Sequence, residues 1–169
     1  DTITAVGALK PRANEQCVDA EGGLLIPGLH DHHVHLASYA AALQSVRCGP
    51  PEVNSEAELV EAINRPGSGW LRGTGFQEGV CQQLNRAWLD QHGPNRPVRI
   101  QHRSGRLWIF NTLAIEQVKA AAASLAPHEQ VRVSRPDGLY YDADEILGGL
   151  IRSEAPPIGQ ASQRLVKLG

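Results

Sequence analysis

The sequence predicts an α/β fold, because segments with helical patterns alternate along the chain with short apolar runs typical of strands. Residues 24–26 form a continuous apolar run, which predicts a strand buried on both faces, as in a parallel sheet. Ser55 and Glu58 have the spacing of a capping box, which predicts the start of a helix extending to about residue 64. Residues 96–102 alternate in the strand manner and predict a further strand.

The other elements follow from composition and from turn signals. Further strands are predicted at residues 2–6, 16–20 and 70–76. Further helices are predicted at residues 36–46, 80–91, 107–125, 143–152 and 160–168. The three tryptophans are interpreted as core residues and not as stacking platforms.

Composition restricts the class of protein. A chain of 169 residues is long enough for one domain with a buried core. Sixteen basic and eighteen acidic residues give a net charge of −2, which argues against nucleic acid or an anionic membrane as a partner. No apolar run approaches the ~18 residues of a membrane span. The three cysteines are in no paired motif and are interpreted as free thiols of a reducing compartment.

The ends of the chain carry two further expectations. It begins at Asp1 and contains no methionine, so we expect the native start to be processed away or to lie outside this sequence. No charged segment followed by an apolar stretch opens the chain, which predicts a cytoplasmic protein.

Histidines are concentrated in residues 30–35, which hold four of the seven in the chain. On an extended strand His33 and His35 project to one face with Asp31 behind them, an arrangement that suits zinc or a similar divalent ion. His30 and His32 fall on the opposite face and are weaker candidates. The alternative interpretation is a polar strand end that binds metal adventitiously.

The context of this cluster resembles a known family. Residues 23–35 follow the signature of the amidohydrolase superfamily: an apolar strand, Pro-Gly, two residues, Asp, any residue, then His-x-His. Residues 3–7 and 18–22 resemble the small N-terminal β-domain of that family. Residues 70–76 and 97–114 are similar to the amidohydrolase 3 branch, which includes N-substituted formamide deformylases and exoenzyme regulatory proteins.

The resemblance implies a metal-dependent hydrolase with a (β/α)8 barrel, here incomplete because such a barrel needs about 250 residues. Residues 1–23 would be part of the N-terminal β-domain. Residues 24–169 would hold the first barrel strand and a mostly helical insertion.

The resemblance also implies site residues. His33 and His35 would be metal ligands, with zinc as the expected ion, and Asp31 would orient a histidine or cap a turn. His102 and Arg106 are candidates for a substrate-contacting loop, with a polar helix entry as the alternative. Many members have Asp-Gly-His where this chain has Ser104-Gly105-Arg106. The remaining ligands and the catalytic aspartate of the family come from later strands, and no positions here match them.

The implied function is hydrolysis of C–N bonds in non-peptide amides or related small molecules, with this chain an N-terminal fragment that is inactive alone. Enzymatic activity of the chain itself therefore stays open. One alternative is a non-enzymatic metal-binding fragment that self-associates, or a module completed by another chain. Another is an independent small α/β domain whose motif matches by coincidence.

Overall fold

The computed structural model describes residues 3–24, 26, 33–151 and 155–167. Within these residues five strands form one mixed sheet in the order β1-β2-β3-β4-β5. The strands are β1 (Val46–Arg47), β2 (Leu71–Phe76), β3 (Val98–His102), β4 (Leu107–Phe110) and β5 (Leu139–Tyr141). The helices are α1 (Leu36–Leu43), α2 (Glu56–Ile63), α3 (Arg86–His92), α4 (Thr112–Ala122), α5 (Pro127–Val133), α6 (Asp144–Leu150) and α7 (Ile158–Val166).

Parallel and antiparallel pairing divide the sheet. Strands β1, β2 and β3 are parallel neighbours, and α2 and α3 make the connections between them. Strand β4 returns antiparallel to β3 through a tight turn in which Gly105 has φ +78°, and β5 is antiparallel to β4. The predicted α/β class is confirmed, whereas a complete barrel is not formed by the part of the chain that the structure describes.

The start of α2 is the helix boundary that the sequence predicted. The amide of Glu58 donates to the hydroxyl of Ser55 at 3.3 Å, as the capping box requires. The Glu58 carboxylate accepts from the amide of Asn54 at 2.6 Å, one residue earlier than the capping box specifies. Both interactions satisfy amides that the helix leaves unpaired at its first turn.

Helices cover both faces of the sheet. On one face, buried Val98 and Ile100 of β3 pack with α2 and α3, whose contributions include Leu59 and Leu89. On the other face the aromatic residues of β4 and β5 pack with apolar side chains of α4, α5 and α6. The predicted strands at β2 and β3 are confirmed, and the alternating side chains of β4 contribute to both cores.

The predicted helix at residues 107–125 is wrong over its first four residues. Leu107–Phe110 form β4, and the helix begins only at Thr112, after Asn111. The four residues of β4 are aromatic, β-branched or leucine, and Trp108 and Ile109 face opposite cores, as strand side chains do. The alanines of α4 made the whole segment look helical in the sequence.

The first residues differ from prediction. Within residues 3–24 and 26 the structure contains neither helix nor strand, so the strands expected at residues 2–6 and 16–20 are not formed there. The predicted buried strand at residues 24–26 is wrong for Leu24 and Ile26, which are 87% and 56% exposed. A strand is stable only beside a partner, and no described strand pairs with this segment. The domain boundary after residue 23 stays a prediction.

Smaller differences concern helix ends and short elements. The helix predicted at residues 80–91 begins at Arg86, because Asn85 caps it by accepting the amide of Trp88 at 3.0 Å. Helix α5 and strands β1 and β5 were not predicted. The helix predicted at residues 36–46 ends at Leu43, and Val46 lies in β1. No helix in the described ranges is long and apolar enough to cross a membrane. The three cysteines are free thiols, as expected.

Candidate functional site

The two predicted metal-binding histidines lie at the start of α1. His35 is the residue before the helix, and its carbonyl accepts the amide of Tyr39 at 2.9 Å. The Nε2 atom of His33 lies 3.2 Å from the Nε2 atom of His35, and the two rings meet edge to face at 85°. The side chains of both residues are exposed. The structure therefore brings this pair together, as the His-x-His spacing predicted.

The separation of the two nitrogens fits a shared metal ion. Imidazole nitrogens bind zinc at about 2.0–2.1 Å, so two neighbouring ligands of a tetrahedral ion lie about 3.3 Å apart. The observed 3.2 Å is close to this separation. No group of three or more histidine, cysteine, aspartate or glutamate residues able to hold a metal is found within the described ranges. The candidates Asp31, His30 and His32 lie outside the described residues.

His102, the first substrate-loop candidate, ends β3 and has partners on both ring nitrogens. Its Nδ1 atom accepts the amide of Ser104 at 3.1 Å and lies 2.8 Å from the Ser104 hydroxyl. An accepting Nδ1 leaves the ring proton on Nε2, which donates to the Glu78 carboxylate at 3.3 Å. Hydrogen bonds from the backbone amide of Glu78 and from His102 hold the pKa of Glu78 below its ordinary value.

Arg106, the second candidate, follows the same turn but has a different partner. Its Nε and Nη2 atoms donate to the two carboxylate oxygens of Asp142 at 2.8 and 2.6 Å. This pairing raises the pKa of Arg106 and lowers the pKa of Asp142. Among the described residues no hydrogen bond joins His35 to either His102 or Arg106. His33 and His35 form one pair, and His102 and Arg106 flank the turn after β3.

A third group of polar side chains was missed in the sequence. Arg72 of β2 and Arg99 of β3 are directly paired across the parallel strands and share a face with Trp108 of β4. They line a cavity between the sheet and helices α1 and α6. The sequence contained a signal for this group, because each arginine alternates with buried residues in a predicted strand. When helices cover both faces of a sheet, side chains on either face are shielded from solvent.

Comparison with known proteins places these observations in a family. A sequence profile of the amidohydrolase family matches residues 16–152, most of the chain. The chain belongs to the amidohydrolase family. The match spans both His33 and His35 and all five strands of the sheet.

Among curated proteins this member of the amidohydrolase family is 32% identical over 129 residues to an N-substituted formamide deformylase of Arthrobacter pascens. The alignment covers 72% of this chain and 23% of that protein. It is also 28% identical over 106 residues to the protein LONG AFTER FAR-RED 3 of Arabidopsis thaliana, covering 59% and 18% of the two chains. The chain thus spans about a quarter of the length of the curated relatives it matches.

Two solved structures share the fold. An uncharacterized metal-dependent hydrolase from Pyrococcus horikoshii OT3 superposes with a TM-score of 0.62 at 18% identity, over 85% of this chain and 29% of the other. An uncharacterized metal-dependent hydrolase from Pyrococcus furiosus gives a TM-score of 0.60 at 21% identity, over 85% and 30%. At these identities the comparison establishes the arrangement of the sheet and helices.

Proposed function

We propose that this chain belongs to a metal-dependent hydrolase that cleaves C–N bonds in non-peptide amides or related small molecules. The observation that carries the proposal is the pair of Nε2 atoms of His33 and His35, 3.2 Å apart, within the family match. The deformylase relative, named for its N-substituted formamide substrates, supports the substrate class. The metal-dependent hydrolases among the solved structures support a divalent ion, for which we propose zinc.

In this proposal His33 and His35 hold two positions of the ion with neutral imidazoles, and Asp31 orients one of them through a hydrogen bond. A bound zinc ion supplies a water of lowered pKa and polarises the substrate carbonyl. Residues outside the described ranges, or from the rest of the hydrolase, supply the further ligands and the catalytic base. Two histidines alone fix neither the geometry of an ion nor a base within reach of its water.

The turn after β3 is proposed as a substrate-contacting loop. Glu78 holds the Nε2–H of His102 at 3.3 Å, so the ring presents a defined tautomer beside the aromatic ring of Phe76. Arg106 donates two hydrogen bonds to Asp142, so it contacts substrate only if these hydrogen bonds break. We therefore give His102 the larger role in this loop.

The chain alone is proposed to be inactive toward small-molecule amides, and to act through self-association or a chain that completes the barrel. Its exposed apolar residues before α1 are consistent with such a contact. Its three free cysteines fit a reducing compartment, and we propose the cytoplasm.

Metal titration tests the histidine assignment directly. We expect the chain to bind added zinc weakly, with a signal that isothermal titration calorimetry measures. The double variant His33→Ala/His35→Ala should lose this signal. The matched control is His92→Ala/His128→Ala, which removes two histidines outside the motif. Equal metal uptake by both double variants would refute the assignment.

A further inference from the structure

A cavity of about 550 Å³ opens between the sheet and helices α1 and α6. Its volume is within the range of about 300–1,000 Å³ typical of small-molecule sites. The sheet contributes Arg72, Arg99 and Trp108, while Trp70 and Asp144 lie at its sides. No residue predicted from the sequence as a site residue lines it.

The two arginines of this cavity lie next to each other on neighbouring strands. Arg72 and Arg99 are register partners in the β2–β3 pair. Like charges at opposing positions of a sheet repel each other and destabilise it. Burial, and then the charge of Arg72, lower the pKa of Arg99 to about 10. An arrangement of this kind costs folding free energy and is expected only where something offsets it.

Both guanidinium groups lie over tryptophan rings. The Cζ atom of Arg99 lies 5.7 Å from the ring centre of Trp70 and 5.3 Å from that of Trp108. The Cζ atom of Arg72 lies 5.5 Å from the Trp108 ring centre. A tryptophan ring attracts a cation over its face but does not replace the hydrogen-bond acceptors that the guanidinium N–H groups need.

The partners of these N–H groups are few and uncharged. Arg72 donates through Nη1 to the Ser45 hydroxyl at 2.6 Å and to the carbonyl of Ala41 at 3.5 Å. The Nε atom of Arg99 is buried without a hydrogen-bond partner within the described part of the chain. A ligand in the cavity therefore reaches this guanidinium through its Nη atoms.

The charges that line the cavity do not balance. Asp144 accepts the indole N–H of Trp108 at 2.8 Å, and among the described residues no carboxylate oxygen lies within 4.0 Å of either guanidinium. Among the described residues that line the cavity, two cations and one carboxylate leave an excess of one positive charge. A monoanion offsets that excess, whereas a phosphate dianion would over-compensate it beside Asp144.

We infer that this cavity binds a small carboxylate with an apolar body the size of an aromatic ring. A planar carboxylate matches the paired N–H groups of a guanidinium and accepts from the Nη atoms of Arg99. Trp70, Phe110 and Leu147 provide apolar surface for the body of the ligand. This inference does not depend on the proposed hydrolase function.

Nuclear magnetic resonance of arginine Nε–H groups tests the inference on the unmodified chain. Benzoate is the probe, and benzamide, of the same shape without the charge, is its matched control. We expect benzoate to move the Arg99 Nε–H signal, because it binds the Nη atoms of the same guanidinium, and benzamide to leave the signal in place. Arg86 serves as an internal control, because its Nε atom is also buried and unpaired but lies outside the cavity.

Variants test which side chains hold the probe. Arg99→Gln should weaken benzoate binding about tenfold or more, through loss of a charge-assisted hydrogen bond. Arg47→Gln, which removes a guanidinium paired with Glu52 at the surface, should leave the affinity unchanged. Circular dichroism of each variant verifies folding, and the signals of the unmodified chain decide the question if Arg99→Gln fails to fold.

Several results would overturn the inference. They are an unmoved Arg99 signal at saturating benzoate, an equal shift with benzamide, or equal weakening of benzoate binding by Arg47→Gln. A shift with inorganic phosphate but not with benzoate would make the carboxylate assignment wrong. An Arg99 signal that is already downfield and does not respond to benzoate would mean that a carboxylate side chain of the protein fills the cavity, which rules out a free ligand.

Discussion

The side-chain oxygen of Asn111 accepts the backbone amide of Val98 at 2.9 Å, so the residue that caps α4 also holds the first residue of β3. The same oxygen accepts the amide of Ala114 at 3.0 Å, and the side-chain nitrogen donates to the carbonyl of Arg96 at 2.8 Å. Asn111 is 2% exposed. One amide group therefore satisfies three backbone groups in a place that water does not reach.

We predict that Asn111→Ala lowers the free energy of unfolding by about 2–4 kcal/mol, because it removes a helix cap and leaves buried backbone groups unpaired. The matched control is Asn85→Ala, which removes an exposed cap with a single hydrogen bond, to Trp88, and should cost about 1 kcal/mol. Urea denaturation of both variants measures the difference. Equal losses would show that the contacts of Asn111 with β3 contribute nothing.

The thiols are predicted to differ in reactivity. Cys17 is exposed, whereas Cys48 and Cys81 are buried. Burial raises the pKa of Cys48 to about 12 and also raises the pKa of Cys81, so neither thiol forms the reactive thiolate near neutral pH. We expect one fast reaction with a disulfide reagent in the folded chain and three after denaturation. Loss of the fast reaction in Cys17→Ala would verify which thiol it is.

Alkaline pH is predicted to destabilise the fold through Cys48. Its thiol has an ordinary pKa of 9.0, which applies to the unfolded chain, and a pKa of about 12 when folded. Because its pKa is raised on folding, Cys48 contributes fully to the free energy of unfolding below about pH 9, and this contribution is lost as the pH rises toward about 12. Denaturation across this range should show falling stability. The fall should be shallower in Cys48→Ala and unchanged in Cys17→Ala.

The isolated chain is predicted to give no turnover. With zinc added, it should release no formate from N-substituted formamides above the rate of zinc alone, because two described histidines neither fix an ion nor supply a base. Light scattering in parallel reports whether the chain is a monomer. Zinc-dependent turnover by a monomer, abolished by His33→Ala, would show that the chain is sufficient for catalysis.

Local signals predicted much of the sheet and its covering helices. The capping residue Ser55 located α2, and the alternation of Val98 and Ile100 located β3, because each pattern has a direct cause in helix capping or in strand geometry. Strand β4 was missed because its four residues precede an alanine-rich helix without a glycine or proline between them. The boundary is instead set by Asn111, whose role depends on tertiary contacts with β3.

The same distinction between local and long-range signals applies to the candidate site residues. The proximity of His33 and His35 was predictable, because the two residues are close in sequence and only local geometry is required. Their role as metal ligands stays a prediction. The pairing of Arg106 with Asp142, and that of Arg72 with Arg99, join residues 36 and 27 positions apart, and only the packed sheet brings them together. Single-sequence patterns carry little information about such contacts.

The edges of the sheet have a consequence for how the chain behaves when concentrated. Its outer strands, β1 and β5, are two and three residues long and therefore leave few backbone groups for another molecule to extend. Growth of ordered fibrils by strand addition needs a longer, flat template. Concentrated samples of the folded chain should therefore not form fibrils by adding strands to the edges of this sheet.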